Sequence, residues 1–301
     1  MKQSPILIIK NLHVAFKTEG GFNEVLHGIS YNLYSDEILG IVGESGSGKS
    51  VASLAIMGLL PLKSEVTTLG EVIFNAENLI DYSQKQLEAI RGKKIAMIFQ
   101  EPMSALNPSI CCGKQVEEIL LQHTNITTKE ANEEVIRLFN AVKLPEPKKT
   151  YKKYPHEISG GQQQRVMIAM AIACKPQILI ADEPTTALDV TVQKKIIALL
   201  KTLQKEFKMS VVFISHDLAL VSEIADRILV MYKGAIVEKG ATKSVFKNPQ
   251  KKYTKALIGA RPRLKGRLKK LPTISDFLSG IIPRALIAKT AREEKHKNIY
   301  S

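Results

Sequence analysis

Residues 43–50 read Gly43, Glu44, Ser45, Gly46, Ser47, Gly48, Lys49, Ser50, and they stand between an apolar run over residues 38–42 and a helical stretch. This is the spacing GxxxxGK[ST] in the one setting where it has chemical meaning, a strand running through a glycine-rich turn into a helix. The glycines let successive backbone N–H groups turn toward a single anion. The following helix points its positive dipole end at the same place, and Lys49 adds a full charge. Such a nest fits the phosphates of a nucleotide, with the Ser50 hydroxyl available to Mg²⁺.

The rest of the first 240 residues alternates short apolar strands with amphipathic helical stretches, the pattern of a parallel sheet covered by helices. Runs over residues 38–42, 95–99, 178–181 and 211–214 each end beside a polar residue of chemical interest. Residues 6–16 and 25–33 flank a turn containing Gly20 and Gly21, which predicts an antiparallel layer. Residues 228–232 and 235–237 flank Lys233 and Gly234 as a hairpin. Between Pro102 and Pro155 helical patterns replace the strands, most clearly over 117–122 and 129–142, as in a helical insertion. Pro145 and Pro147 mark residues 144–150 as a loop within it.

Asp182 and Glu183 close the third apolar run. Alone, such an acid pair would serve as a helix cap. Beside a phosphate-binding loop the pair divides naturally: Asp182 holds Mg²⁺, and Glu183, aimed elsewhere, polarises the attacking water as general base. Ser159, Gly160, Gly161 and Gln162 precede a helical pattern running to Ala173, so their amides form a second anion site at a helix start.

ISGGQ over residues 158–162, with the phosphate loop upstream and Asp182-Glu183 downstream, resembles the signature of the ABC ATPases, Ile158 standing where Leu is usual. The resemblance covers nearly the whole chain. It implies an α/β fold with a P-loop NTPase (ABC ATPase) core, an antiparallel β layer, a helical subdomain and a C-terminal extension. The implied boundaries are 1–242 for the ATP-binding domain, with the helical subdomain at about 102–165, and 243–301 for the extension. By the same resemblance Gln100 is the Q-loop glutamine, Asp189 belongs to the D-loop and His216 is the switch histidine. Phe16 would stack on adenine. ATP and Mg²⁺ are the implied ligands, with Ser50, Gln100 and Asp182 at the metal and Glu183, His216 and Gln100 in catalysis. The phosphate loop of one subunit and the Ser159–Gln162 segment of another would sandwich each ATP in a head-to-tail dimer.

FQEPMSALNP over 99–108, YPHE over 154–157, RVMIAM over 165–170 and ADEPTTALDVTVQ over 181–193 are similar to the ATPase subunits of dipeptide, oligopeptide and nickel importers. NPQKKYTKAL over 248–257 resembles the opening of that group's extension, with Lys251 and Lys252 replacing a His-Pro pair. Some members bind an iron–sulfur cluster through cysteines of the extension; the last cysteine here is Cys174, so no cluster is expected. The resemblance implies two permease subunits, a second ATPase subunit, identical or homologous, and an extracytoplasmic substrate-binding protein. The length of the extension favours peptide over nickel as cargo.

Composition fits this reading. The longest apolar stretch, residues 166–174, is about half of the roughly 20 residues a membrane-spanning helix needs. No signal-type cleavage site follows the N-terminus, so a peripheral position on the cytoplasmic face of the inner membrane is expected. The net charge of +14 is uneven: residues 243–301 hold sixteen Lys and Arg against three acids, and the rest of the chain is nearly neutral. That tail is expected either to meet anionic lipid headgroups or to be a solvated extension. The rival reading, a soluble ABC-type ATPase gripping nucleic acid with its tail, is opposed by the single P-loop and by the short interval between Lys49 and Ser159.

Overall fold

The computed structural model describes residues 4–61, 64–100, 105–186 and 188–260 of the chain. The N-terminal half runs β1 (Pro5–Thr18), β2 (Gly21–Tyr34), β3 (Ile38–Val42), α1 (Lys49–Met57), β4 (Val66–Phe74), β5 (Glu77–Asn78), α2 (Gln84–Ile90) and β6 (Ile95–Ile98). Helices follow: α3 (Cys112–His123), α4 (Thr128–Ala141), α5 (Pro147–Lys152) and α6 (Gly160–Ile172). Alternation resumes with β7 (Ile178–Asp182), α7 (Val190–Phe207), β8 (Ser210–Ser215), α8 (Leu218–Ile224), β9 (Arg227–Tyr232) and β10 (Ala235–Ala241). The described chain closes on α9 (Thr242–Lys247) and α10 (Lys252–Gly259).

Two sheets result. One is antiparallel, in the order β2-β1-β4-β5; the other has the order β10-β9-β3-β8-β7-β6, with parallel pairing from β9 to β6 and β10 antiparallel at its edge. Strands β3, β7 and β8 are buried throughout, as both faces of a covered parallel sheet require. Side chains that alternate along them feed two different cores. Ile38, Val42, Leu179, Ala181, Val211 and Phe213 face the helices, together with Val116, Phe139 and Ile168. Leu39, Ile41, Ile178, Ile180, Val212 and Ile214 face α1 and the antiparallel sheet, where Ala52, Ile56, Leu7, Leu26 and Phe74 pack. Helix α1 is thereby enclosed between two sheets, and the loop that leads into it is held from both sides.

Strand β4 escapes a reading by alternation because Gly70 interrupts it. Gly70 has φ +102, and a Cβ there would run into the carbonyl of Asn11, at the bulge where β1 shifts register against both its neighbours. Helix α4 starts on a capping box, the Glu130 N–H donating to Thr127 Oγ1 at 3.3 Å and the Thr127 N–H to Glu130 Oε2 at 2.7 Å. The loop expected over 144–150 is shorter than that: Pro147 opens α5, after Glu146 turns through φ 44. Proline needs no N–H partner at the first helical position, so the second proline ends the loop instead of extending it. The strands named from the pattern are present, with Phe99 falling just beyond β6, and α3 and α4 cover the helical stretches 117–122 and, to within one residue, 129–142. No described helix is long and apolar enough to cross a membrane.

Candidate functional site

The loop after β3 lies at the C-terminal edge of the parallel sheet. Gly46 and Gly48 take φ +77 and +98, which side-chain-bearing residues adopt at a cost. A Cβ on Gly43 would run into the Met231 carbonyl, so the loop is seated directly on β9. The Gly234 N–H donates to the Ser47 carbonyl at 3.1 Å, fastening the loop to the β9–β10 turn. Lys49 is 5% exposed. Its Nζ donates to the carbonyls of Gly43 at 3.0 Å and Glu44 at 2.8 Å. Burial pushes the Lys49 pKa down, opposed by the carboxylates of Glu183, Asp182 and Glu44.

Asp182 and Glu183 occupy different surroundings although they are adjacent. Asp182, 5% exposed at the end of β7, is hydrogen-bonded by Ser50, and its Oδ1 is buried with no hydrogen-bond partner. Burial raises its pKa; the Ser50 hydrogen bond opposes the rise, the Glu183 charge adds to it and Lys49 opposes it. Glu183 turns out of the strand through φ 47, a left-handed conformation that costs a side-chain-bearing residue about 1 kcal/mol. Its Oε2 then accepts hydrogen bonds from Gln100 Nε2 at 3.3 Å and Thr186 Oγ1 at 2.9 Å, and lies 3.0 Å from His216 Nδ1. Three strand ends and the turn after β7 meet on one oxygen. The Glu183 side chain is 13% exposed and that of His216 60%.

A cleft of about 780 Å³ joins these groups: Gly43, Glu44, Ser45, Gly46, Gly48, Lys49 and Ser50 on one side, Gln100, Glu183, Thr186 and His216 on the other. Val25 from β2, Val51 from α1 and Leu257 from α10 supply its apolar walls. Phe16 is half-buried in β1 against the core of the antiparallel sheet and does not line the cleft. Thr186 and Leu257 were not identified from the sequence. A hydroxyl in an ordinary turn and a leucine in a helix distant along the chain carry no signature until folding brings them to the loop.

The residues present suit Mg²⁺. An orphaned buried carboxylate oxygen, the Ser50 hydroxyl and the side-chain oxygen of Gln100 are hard donors, too few for an all-protein cage but sufficient for an ion that keeps water and binds phosphate. Among the described residues no group of three or more His, Cys, Asp or Glu could hold a metal.

Ser159 and Gly160 are exposed at the start of α6, the Ser159 N–H donating to Gln162 Oε1 at 2.9 Å. Ser159, Gly160, Gly161 and Gln162 do not line the cleft. They lie beside the start of α7, where a Cβ on Gly161 would come 3.0 Å from Val192. There Asp189 caps the helix by accepting the Val192 N–H at 2.9 Å. Ala187, two residues before Asp189, and the tail from residue 261 lie outside the described residues.

The family described as ABC transporter matches residues 26–186, and that described as oligopeptide/dipeptide transporter, C-terminal region, matches residues 237–279. The dipeptide transport ATP-binding protein DppD of Bacillus subtilis (strain 168) is 49% identical over 259 residues, covering 86% of this chain and 77% of that protein. The oligopeptide transport ATP-binding protein OppD of Escherichia coli (strain K12) is 46% identical over 259 residues, covering 86% and 76%. Among solved structures, a dimeric ATP-binding cassette in a post-hydrolysis state bound to ADP and Pi matches with a TM-score of 0.70 at 30% identity, over 78% of this chain and 98% of that one. With its cleft at the sheet edge and both family regions in order, the chain belongs to the ABC transporter ATP-binding proteins, in the group of dipeptide and oligopeptide transport ATPases.

Proposed function

We propose that this ABC ATPase powers import of peptides through two permease subunits, paired with a second ATPase subunit and supplied by an extracytoplasmic binding protein. Support comes from the names of its relatives, from the second family region and from the absence of a membrane-spanning helix among the described residues. In this reading residues 1–242 form the ATP-binding domain and 243–301 the extension, and the chain works peripherally on the cytoplasmic face of the membrane. The basic tail has the composition to meet anionic headgroups there.

The chemistry is hydrolysis of ATP to ADP and phosphate. Lys49 leaves the carbonyls of Gly43 and Glu44 and turns to the β- and γ-phosphates, which the loop amides surround. Ser50, Asp182 and Gln100 would hold Mg²⁺, which when bound neutralises charge on the phosphate oxygens. Glu183 orients water and takes its proton as the oxygen attacks the γ-phosphorus and the bond to the bridging oxygen of ADP breaks. Gln100, Thr186 and His216 fix the direction of that carboxylate. The signature segment does not line its own cleft and in this reading meets ATP held by another subunit, so binding closes a dimer and loss of the γ-phosphate reopens it.

The observation that carries the catalytic reading is the convergence on Glu183 Oε2 at the mouth of the loop cleft. Glu183→Gln tests it. The variant is expected to bind Mg-ATP and accumulate as a closed dimer with turnover reduced at least about 100-fold; normal turnover would remove Glu183 from this role. Purification from detergent-solubilised membranes of the source cells tests the transport reading. Two permeases and a second ATPase should co-purify, whereas nucleic acid or ribosomal proteins in their place would overturn it.

A further inference from the structure

The C-terminal extension begins against the phosphate-binding loop. Helix α10 places Leu257 in the wall of the cleft and buries Tyr253, whose ring centroid lies 4.2 Å from that of Tyr232 at the end of β9. Tyr253 Oη accepts the backbone N–H of Glu44 at 3.1 Å, and its hydroxyl lies 3.4 Å from Glu44 Oε2. The carbonyl of the same Glu44 accepts from Lys49 Nζ at 2.8 Å. One loop residue is therefore held on one side by the lysine that must leave for the phosphates and on the other by a side chain of the extension. Burial pushes the Tyr253 phenol up to about 12, so the hydroxyl stays neutral and able to donate throughout the working pH range.

We propose that Tyr253 is a positioning residue for nucleotide binding, making the opening helix of the C-terminal extension part of the ATP site and coupling the two. This rests on the reading of the cleft as the ATP site. When Lys49 turns to the phosphates, Glu44 loses the lysine's hydrogen bond and keeps that of Tyr253, so the entrance of the loop stays in the shape that receives ATP. Without the hydroxyl, ATP has to order that entrance itself. The cost falls equally on ground state and transition state, so affinity suffers and the chemical step does not. Coupling is reciprocal: if the helix favours the ATP-bound loop, ATP must steady the helix.

The test uses the full-length chain and Tyr253→Phe, which keeps the ring against Tyr232 and removes only the hydroxyl. Loss of one hydrogen bond of ordinary strength predicts a rise of about fivefold in Kd and KM for Mg-ATP. Within the same series kcat should stay within about twofold of wild type. A folded variant with wild-type Kd and KM, or one that loses kcat at unchanged KM, overturns the proposal. Hydrogen exchange of the wild type at residues 252–259 with and without Mg-ATP decides the matter if the variant does not fold: added protection supports the coupling, and unchanged exchange overturns it. Failure of the wild type itself to bind ATP would instead overturn the reading of the cleft, so the two failures are distinguishable.

Discussion

Thr186 donates to the same carboxylate oxygen as Gln100 and faces the same cleft, so its hydroxyl fixes where the oxygen of Glu183 proposed to accept the proton points. Thr186→Val keeps the shape and removes the donor. A hydrogen bond to a charged group contributes about 1.5 kcal/mol, so kcat should fall about tenfold with KM for ATP nearly unchanged, as steady-state ATPase assays would show. Asp182 poses the opposite problem, a group suited to function and costly to the fold. Because burial raises its pKa, the folded chain holds that proton more tightly than the unfolded chain, and unfolding releases it. Stability of the nucleotide-free protein from this group therefore falls as pH rises through the window between the ordinary carboxylate pKa and the raised one. Asp182→Asn should remove that pH dependence and raise the nucleotide-free Tm at neutral pH by about 2–4 °C, while turnover falls at least about 100-fold. Thermal unfolding at several pH values and ATPase assays check both parts. The residues legible in the sequence were those whose meaning is local: the loop glycines and Lys49, the acid pair, the polar residues at strand ends. Tyr253 and Leu257 were hidden because their partners lie on other elements, and Thr186 because a hydroxyl three residues on in a turn carries no signature of its own; Phe16, expected to stack on adenine, is half-buried against the antiparallel core.

At the scale of elements, apolar runs announced the parallel strands because every side chain along β3, β7 and β8 is buried. Which core each residue feeds was not legible, since alternation is invisible where both faces are apolar. Strand β4 was hidden by Gly70, and the mostly polar α2 buries only Leu87 and Ile90. The helical insertion has a tight joint of its own. Gly113 near the start of α3 lies under the ring of Tyr151 in α5, and the Tyr151 hydroxyl bonds the buried Glu117, which Lys114 also contacts at 2.8 Å. A ring anchored at its hydroxyl cannot swing aside. Gly113→Ala would place a methyl against it, and overpacking of this kind costs about 1–3 kcal/mol despite the better helix propensity of alanine. Denaturant unfolding should show the loss, with ATP affinity little changed because α3 contributes nothing to the cleft.

Across the whole molecule, the phosphate loop and the signature segment do not share a cleft. The loop sits between β3 and α1, enclosed by two sheets, whereas Ser159 stands exposed at the start of α6 and outside the cleft. The phosphate loop and the signature segment of a single chain therefore do not share one cleft, and the cassette it resembles was solved as a dimer. Ser159→Arg separates the two roles. It leaves every residue of the chain's own cleft in place, so the affinity of the monomer for Mg-ATP should change less than about twofold; ATP-driven pairing buries the new charge against another subunit, where an unpaired charge costs several kcal/mol. In the Glu183→Gln background, expected to accumulate the closed dimer, size-exclusion chromatography with Mg-ATP should recover dimers from the parent and monomers from the double variant. Unimpaired dimers there would show that the surface around Ser159 does not close over ATP, and the alternating grip of two chains would have to be sought elsewhere on the molecule.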